Sequence, residues 1–454
     1  MSQPQAKWRP ELRAMVALAV PVVLSELGWT AQGIVDTIMV GKLGPAAIGA
    51  VALGNAVYFT PVLFCFGLLL GLDTLVSQAY GRKDHDECHR WLAQGVYLAC
   101  ILTVPLMLLL FPASLGFAPF GITPEVALPA ASYLRILTWG TLPLVFYGAT
   151  RRYLQAVGQV RVVTVTIVAG NLLNWFANWV LIYGKLGFPA LGVNGSALST
   201  VISRIFIALA LLASAWSYER GRGHPLFRHW AGPSLARLRQ LIHLGLPAGG
   251  QVLLEVGAWN LVTLFAGRLT PVELAAHSIV FNYGSLSYMV PLGIASAAAV
   301  SVGHAVGASD GARARRAGWL ALGMGTAFML SAAVVYLWIP GSLVALYTRD
   351  PEVMALGARL LVIVAAFQIF DGIQTVSTGA LRGLGETRVP MLANLVGYWV
   401  LGLPLGLTLC FVLRWGVYGL WIGLLVALIV VATALIVRWR RDSAHLARGL
   451  SPHQ

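Results

Sequence analysis

The sequence contains twelve apolar stretches of about 20 residues or more, and this pattern limits the folds that the chain can adopt. A helix of about 20 predominantly apolar residues crosses the hydrocarbon core of a bilayer. We therefore predict an all-α membrane protein with twelve transmembrane helices, arranged as two six-helix bundles. The stretches lie near 14–40, 47–76, 91–111, 128–150, 162–184, 192–216, 241–266, 272–302, 317–339, 355–380, 390–413 and 416–438.

Charged side chains are too few for a water-soluble protein of this length. They make up 11% of the 454 residues, whereas soluble domains average about 25%. This composition excludes a soluble enzyme, a nucleic-acid-binding protein and a disordered chain, in spite of the net charge of +14. The N-terminal apolar stretch is too long for a cleaved signal peptide and is interpreted as the first transmembrane helix.

The basic residues predict the orientation of the chain in the membrane. If the N-terminus is cytoplasmic, 23 of the 31 Lys and Arg residues lie on the cytoplasmic side and seven lie in the opposite loops. Because basic residues are enriched on the cytoplasmic side, we predict a multi-pass protein of the cytoplasmic (inner) membrane with both termini in the cytoplasm. The remaining basic residue, Arg204, lies inside a stretch, and pairing with an acid is the favoured interpretation.

The two halves of the chain resemble each other at a nearly constant offset. Each half begins on the same side of the membrane, so the repeat is parallel and predicts a pseudo-two-fold axis along the membrane normal. Transporters built in this way bind their substrate between the halves, and the duplication is evidence against a receptor or a membrane enzyme. The matching segments are 41–84 with 267–310 (offset 226), 154–161 with 381–388 (offset 227) and 192–195 with 416–419 (offset 224).

The longest polar connection predicts the domain limits. It spans residues 217–240 and separates the sixth apolar stretch from the seventh. We therefore predict an N-terminal bundle at residues 1–216, a cytoplasmic linker at 217–240 and a C-terminal bundle at 241–454.

Carboxylates within the apolar stretches are the first candidates for a functional site. Each costs roughly 2.5–3.5 kcal/mol at the centre of a membrane helix. Asp36, Glu255 and Asp371 each occur in only one copy of the repeat, so the symmetry of the fold does not require them. We predict that they bind a cation or substrate; the alternative is that they are buried, hydrogen-bonded acids that join helices.

Several polar residues are secondary candidates. Asn174 and Asn178 lie four residues apart on one helix face, where they either bridge helices or supply neutral oxygens to a cation site with Asp36. For Glu26, a functional role and a structural role are equally open. Asp73 is interpreted mainly as an anchor of a helix end. The last two, Gln368 and Gln374, are candidates for lining a cavity near Asp371.

Four segments are distinctive: GIVDTIMVGKLGPAAIGAVALGNAV (33–57), LLEVGAWN (253–260), AAFQIFDGIQTVSTGALRGLGETRVP (365–390) and YWVLGLPLG (398–406). They closely resemble the multidrug and toxic compound extrusion (MATE) family, in particular its NorM-like branch. The resemblance covers essentially the whole chain. One feature differs, because NorM-like members often have a tyrosine four residues before the acid at 371, where this chain has Phe367. The missing hydroxyl favours H⁺ over Na⁺ as the coupling ion.

The resemblance implies export of varied, mostly cationic compounds, driven by inward flow of H⁺ or Na⁺ through alternating access. It places the family's coupling acids at Asp36, Glu255 and Asp371 and its amides at Asn174 and Asn178. A Na⁺ site would then lie either at Asp36 with the two amides or at Glu255 with Asp371. It further implies a monomer in contact with membrane lipid, without a cofactor, an enzymatic activity or a nucleic-acid partner.

One alternative of the same wider superfamily stays open. A flippase for lipid-linked precursors would need several Arg or Lys side chains in the membrane to bind phosphates, and the sequence offers one clear intramembrane arginine, Arg204.

Overall fold

The computed structural model describes residues 5–117, 122–223 and 232–448, and every regular element in these ranges is a helix. The predicted all-α class is confirmed. The α-helices are α1 (Gln5–Gly41), α2 (Pro45–Leu69), α3 (Gly71–Gly81), α4 (His85–Ala113), α5 (Pro124–Trp139), α6 (Thr141–Ala156), α7 (Val160–Tyr183), α8 (Val193–Gly221), α9 (Leu235–Ala266), α10 (Pro271–Gly307), α11 (Gly311–Trp338), α12 (Pro340–Ala345), α13 (Pro351–Leu384), α14 (Arg388–Asn394), α15 (Leu403–Leu407) and α16 (Val417–Ala447). Leu395–Gly402 and Thr408–Val412 are π-helical.

Within the described ranges, eleven helical stretches are long and apolar enough to cross a membrane. The fourth predicted span, 128–150, is divided at Gly140 into α5 and α6, which have 16 residues each. A Cβ at Gly140 would lie 3.0 Å from Val201 Cγ2 and 3.3 Å from Arg204 Nη1, so the close approach of α8 favours glycine here. The twelve predicted spans are therefore eleven long helical stretches and one pair of half-length helices.

The internal repeat is visible in the backbone at matching turns. Asp84 and Asp310 both begin a helix and accept a hydrogen bond from the backbone N–H three residues later, at 2.9 and 2.8 Å. Gly192 and Gly416 both precede a helix, with φ near +55°. Glycine adopts this conformation without steric cost, so equivalent sequence positions adopt equivalent local structures.

The chain forms two compact units. One is Leu24–Gly245, and the other combines the described residues up to Val23 with those from Leu246 onward. Helix α1 is divided because its first part packs on α10 and α11: Glu11 forms a bidentate ion pair with Arg316, and Met15 lies in an apolar cluster with Ala298. The predicted limits at 216 and 241 did not include this division, and the two-bundle domain assignment stays a prediction.

Candidate functional site

Asp36 lies in a buried polar cluster made by three helices. Its side chain on α1 is 6% exposed. From α7, Asn178 Nδ2 donates to Asp36 Oδ1 at 2.6 Å, and it also lies 3.2 Å from Asn174 Oδ1. From α8, the Thr200 hydroxyl donates to Asp36 Oδ2 at 3.3 Å. The structure therefore brings together the acid and both amides that the sequence singled out.

The Asp36 cluster retains unused hydrogen-bonding capacity. Asn178 Oδ1 and Asn174 Nδ2 are buried without a hydrogen-bond partner. Sequence reasoning missed Thr200, although α8 carries several hydroxyl residues at helical spacing in that region, which was a usable signal. Carboxylate, amide and hydroxyl oxygens are ligands for hard cations, and the carboxylate alone can bind a proton.

Arg204 lies one turn after Thr200 on α8 and does not form the predicted contact with an acid. Among the described residues, no carboxylate oxygen lies within 4.0 Å of its guanidinium nitrogens. It donates instead to the Tyr58 hydroxyl at 2.8 Å. Asp36 is close enough to interact with its charge without direct contact.

Glu255, which is half-buried, and Asp371, which is buried, lie in a second polar cluster, in the other unit. Glu255 Oε2 accepts from Gln374 Nε2 at 3.4 Å and from Asn394 Nδ2 at 3.3 Å. The Tyr398 hydroxyl donates to Gln374 Oε1 at 2.9 Å and so fixes that amide. Sequence reasoning missed the specific roles of Asn394 and Tyr398, although Tyr398 lies in a quoted family segment. A π-helical segment, which is frequent at functional sites, begins directly after Asn394.

Asp371 is the least compensated acid in this cluster. It is 5% exposed and makes no hydrogen bond or ion pair with the described residues. The charged group that acts on it is Glu255, which has the same sign. One turn earlier on α13, Gln368 is fully buried, and neither of its amide atoms has a hydrogen-bond partner. A cation or proton would relieve the repulsion between the two acids.

Glu26 and Asp73 differ from the other acids because an arginine contacts each one. Arg151 bonds to Glu26 and also donates to the Tyr147 hydroxyl at 3.1 Å. Arg152 contacts Asp73 at 3.2 Å, and the Asp73 side chain is fully buried. These secondary candidates therefore already have a cationic partner.

Neither acid cluster resembles a conventional metal site. Within the described ranges, no group of three or more His, Cys, Asp or Glu side chains is placed to hold a metal ion. A Na⁺ ion at either cluster would therefore depend on amide and hydroxyl oxygens in addition to one or two carboxylates.

The MatE family model matches the chain twice, at residues 21–180 and 247–408, which begin 226 positions apart. This is the offset of the internal repeat. The chain is 37% identical over 448 residues to a "Probable multidrug resistance protein NorM" of Mesorhizobium japonicum, covering 97% of the chain and 96% of the relative. It is 36% identical to a protein of the same name from Xanthomonas campestris pv. campestris, covering 99% of each.

Solved structures share the fold. A MATE transporter in a bent conformation matches with a TM-score of 0.88 and 22% identity, covering 98% of this chain and 99% of that chain. The eukaryotic MATE transporter AtDTX14 matches with a TM-score of 0.85 and 21% identity, covering 97% and 99%. At these identities the likeness establishes the twelve-helix architecture alone.

Proposed function

The chain belongs to the MatE family, and from this premise we propose that it is a multidrug efflux transporter that exchanges organic cations for H⁺ or Na⁺ across the cytoplasmic membrane. Both relatives are named as probable multidrug resistance proteins. The observation that carries the proposal is the pair Glu255 and Asp371 within the membrane helices: two amides donate to Glu255, and Asp371 has no hydrogen bond or ion pair with the described residues. Uncompensated acids within membrane helices are costly, so we infer that this pair binds a proton or another cation.

Competition for these carboxylates couples the two flows. A proton or Na⁺ arriving from outside neutralises the acids and lowers their affinity for a cationic compound, which is released. Loss of the ion to the cytoplasm restores the negative charge and a new compound binds. The membrane potential drives inward cation movement with about 2.3 kcal/mol per charge per 100 mV.

The two coupling ions make different demands on the Asp371 region. Phe367 offers no oxygen, and its ring packs against Trp259 and Trp421 at centroid distances of 5.5 and 6.0 Å. A proton needs only the carboxylates. A Na⁺ ion needs further oxygens, for which the unpartnered Gln368 amide, three residues before Asp371 on α13, is one source. We favour H⁺, because the aromatic packing excludes position 367 from any ion shell.

The flippase alternative would need several free basic side chains in the membrane. Arg151 and Arg152 contact Glu26 and Asp73, so they are neutralised within the protein. We therefore place efflux before lipid transport.

Transport in proteoliposomes tests the proposal. The purified chain is reconstituted, an H⁺ or a Na⁺ gradient is imposed, and movement of ethidium is followed by fluorescence. We expect one gradient to drive movement and Glu255→Gln or Asp371→Asn to abolish it. Glu352→Gln, at an exposed position on α13, is the matched control and should remain active. The antiport proposal is contradicted if both acid variants transport ethidium as the wild type does, or if neither gradient drives transport.

A further inference from the structure

Arg204 is a buried cation whose hydrogen-bonding capacity is largely unused. Its side chain is 5% exposed. Nη1 donates to the Tyr58 hydroxyl at 2.8 Å, and the guanidinium carbon lies 4.8 Å from the centre of the Tyr58 ring. A guanidinium has five N–H donors, and the others make no hydrogen bond with the described residues.

The position of the guanidinium is held by several elements of one unit. The Tyr58 hydroxyl is also bonded to Thr141 Oγ1, at 3.3 Å. Gly140, at the break between α5 and α6, provides the space, because a Cβ there would lie 3.3 Å from Arg204 Nη1. The interruption of a membrane helix therefore makes room for this one charged group.

Asp36 is the acid next to Arg204, but the two side chains do not touch. Thr200 donates to Asp36 and lies four residues before Arg204, so both groups face the same side of α8. Elsewhere in the chain, arginines that neutralise an acid contact it directly, as Arg316 contacts Glu11 through both oxygens at 3.1 Å. Arg204 lacks such a contact. Asp36 and Arg204 thus carry opposite charges without forming an ion pair, and Thr200, which contacts Asp36, lies one helical turn before Arg204 on α8.

We propose that Arg204 is a specificity-determining residue that binds a carboxylate of the transported compound, while Asp36 binds its ammonium group. The Asp36 cluster then favours zwitterionic compounds over compounds that are only cationic. A guanidinium with free N–H groups is suited to a carboxylate, with which it forms paired, charge-assisted hydrogen bonds. The negative charge of Asp36, which would repel a lone carboxylate, is balanced by the ammonium of the same compound. This inference rests on the proposed transport function of the chain.

The test compares two compounds that differ in one charge. Norfloxacin is a zwitterion near neutral pH, and its methyl ester is a cation. Binding of each to the purified full-length chain is measured by fluorescence, and transport is measured separately in proteoliposomes. We expect Arg204→Gln to lower the affinity for norfloxacin about tenfold or more relative to the ester. Arg204→Lys, which keeps the charge, should retain most of the preference.

Two further variants make the result decisive. Arg135→Gln removes a positive charge at an exposed position of the same unit and should not change the affinity ratio. If Arg204→Gln does not fold, Tyr58→Phe serves instead, because it removes only the hydroxyl that orients the guanidinium, and the ratio should fall by a smaller factor.

An unchanged ratio in Arg204→Gln, or in Tyr58→Phe where that variant replaces it, overturns the inference. If the wild type binds both compounds but transports neither under any gradient, the transport proposal fails, and the binding ratio still decides the role of Arg204.

Discussion

The buried carboxylates differ in the groups that neutralise them. Glu26 and Asp73 contact arginines. Asp36 has amide and hydroxyl donors, with a cation at longer range. Among the described residues, Glu255 accepts hydrogen bonds from two neutral amides, and Asp371 is influenced by the like charge of Glu255. The first two acids therefore behave as members of structural ion pairs, whereas the last two are suited to binding and releasing a cation.

Asp73 and Arg152 should behave as a structural pair. Removing one partner of a buried ion pair leaves an uncompensated charge and costs about 3–5 kcal/mol, whereas replacing both costs less. We expect Arg152→Gln to lower the thermal stability of the purified chain more than the double variant with Asp73→Asn. Thermal unfolding in detergent measures both. If the loss of stability in the double variant equals the sum of the losses in Arg152→Gln and Asp73→Asn, the two side chains act independently.

Tyr398 should support coupling through Gln374. Tyr398→Phe removes the hydroxyl that fixes this amide, a loss of roughly 0.5–1.5 kcal/mol. We expect a several-fold decrease in gradient-driven transport with the protein still folded. Tyr336→Phe is the matched control in the same unit, since it loses a hydroxyl bond of 2.9 Å to the Tyr283 carbonyl. Equal transport defects in both variants would assign the effect to general stability.

At the scale of elements, small residues allow the long helices to approach closely. A Cβ at Gly379 of α13 would lie 2.2 Å from the Ala295 carbonyl oxygen of α10, and one at Gly383 would lie 2.7 Å from the Ala299 carbonyl oxygen. Lipid provides no hydrophobic force between helices, so membrane helices depend on such close packing. The face of α13 that carries Asp371 is positioned by this contact.

Gly379→Ala should therefore be strongly destabilising. The added methyl meets backbone and not a movable side chain, so the helices must separate, at a cost of about 1–3 kcal/mol. Size-exclusion profiles and thermal unfolding of the purified chain measure the effect. Gly323→Ala on α11, where a Cβ would meet no atom within 4 Å, should be nearly neutral. Comparable losses in the two variants would contradict the packing argument.

At the scale of the whole molecule, the two halves share the positions at which helices begin but differ in the polar residues within the helices. Asp84 and Asp310 begin equivalent helices, and the family model matches both halves. None of the acids Asp36, Glu255 and Asp371 has an acidic counterpart in the other half. Duplication therefore supplied two similar scaffolds, on which different sets of polar groups are placed.

The predicted orientation can be checked by labelling. In a background without the four native cysteines, a cysteine is introduced at Lys185 or at Arg313, which are both exposed and lie on opposite predicted sides. A membrane-impermeant maleimide should label position 185 in intact cells and position 313 only after permeabilisation, because basic residues are enriched in the cytoplasm. The reverse pattern would invert the topology.

The sequence alone determined the class of protein, the number of spans and the candidate acids. The length and apolar composition of a stretch are enough to identify a transmembrane helix, because the thickness of the bilayer sets the length that is needed. An acid stands out wherever it lies in such a span, and the repeat showed that Asp36, Glu255 and Asp371 are not required by symmetry. The amides Asn174 and Asn178 stood out because they lie four residues apart on one face of an apolar stretch.

Only the tertiary structure decided which group neutralises each acid. The partners are distant in sequence, as with Asn178 and Asp36, which are 142 positions apart, or Asn394 and Glu255, 139 apart. In a membrane, the faces of a helix that meet lipid and protein are both apolar, so periodicity does not show which face is buried. The rotation of each helix follows from packing. It places an arginine against Asp73 and amides against Glu255, and it leaves Asp371 without a hydrogen-bond partner among the residues that the structure describes.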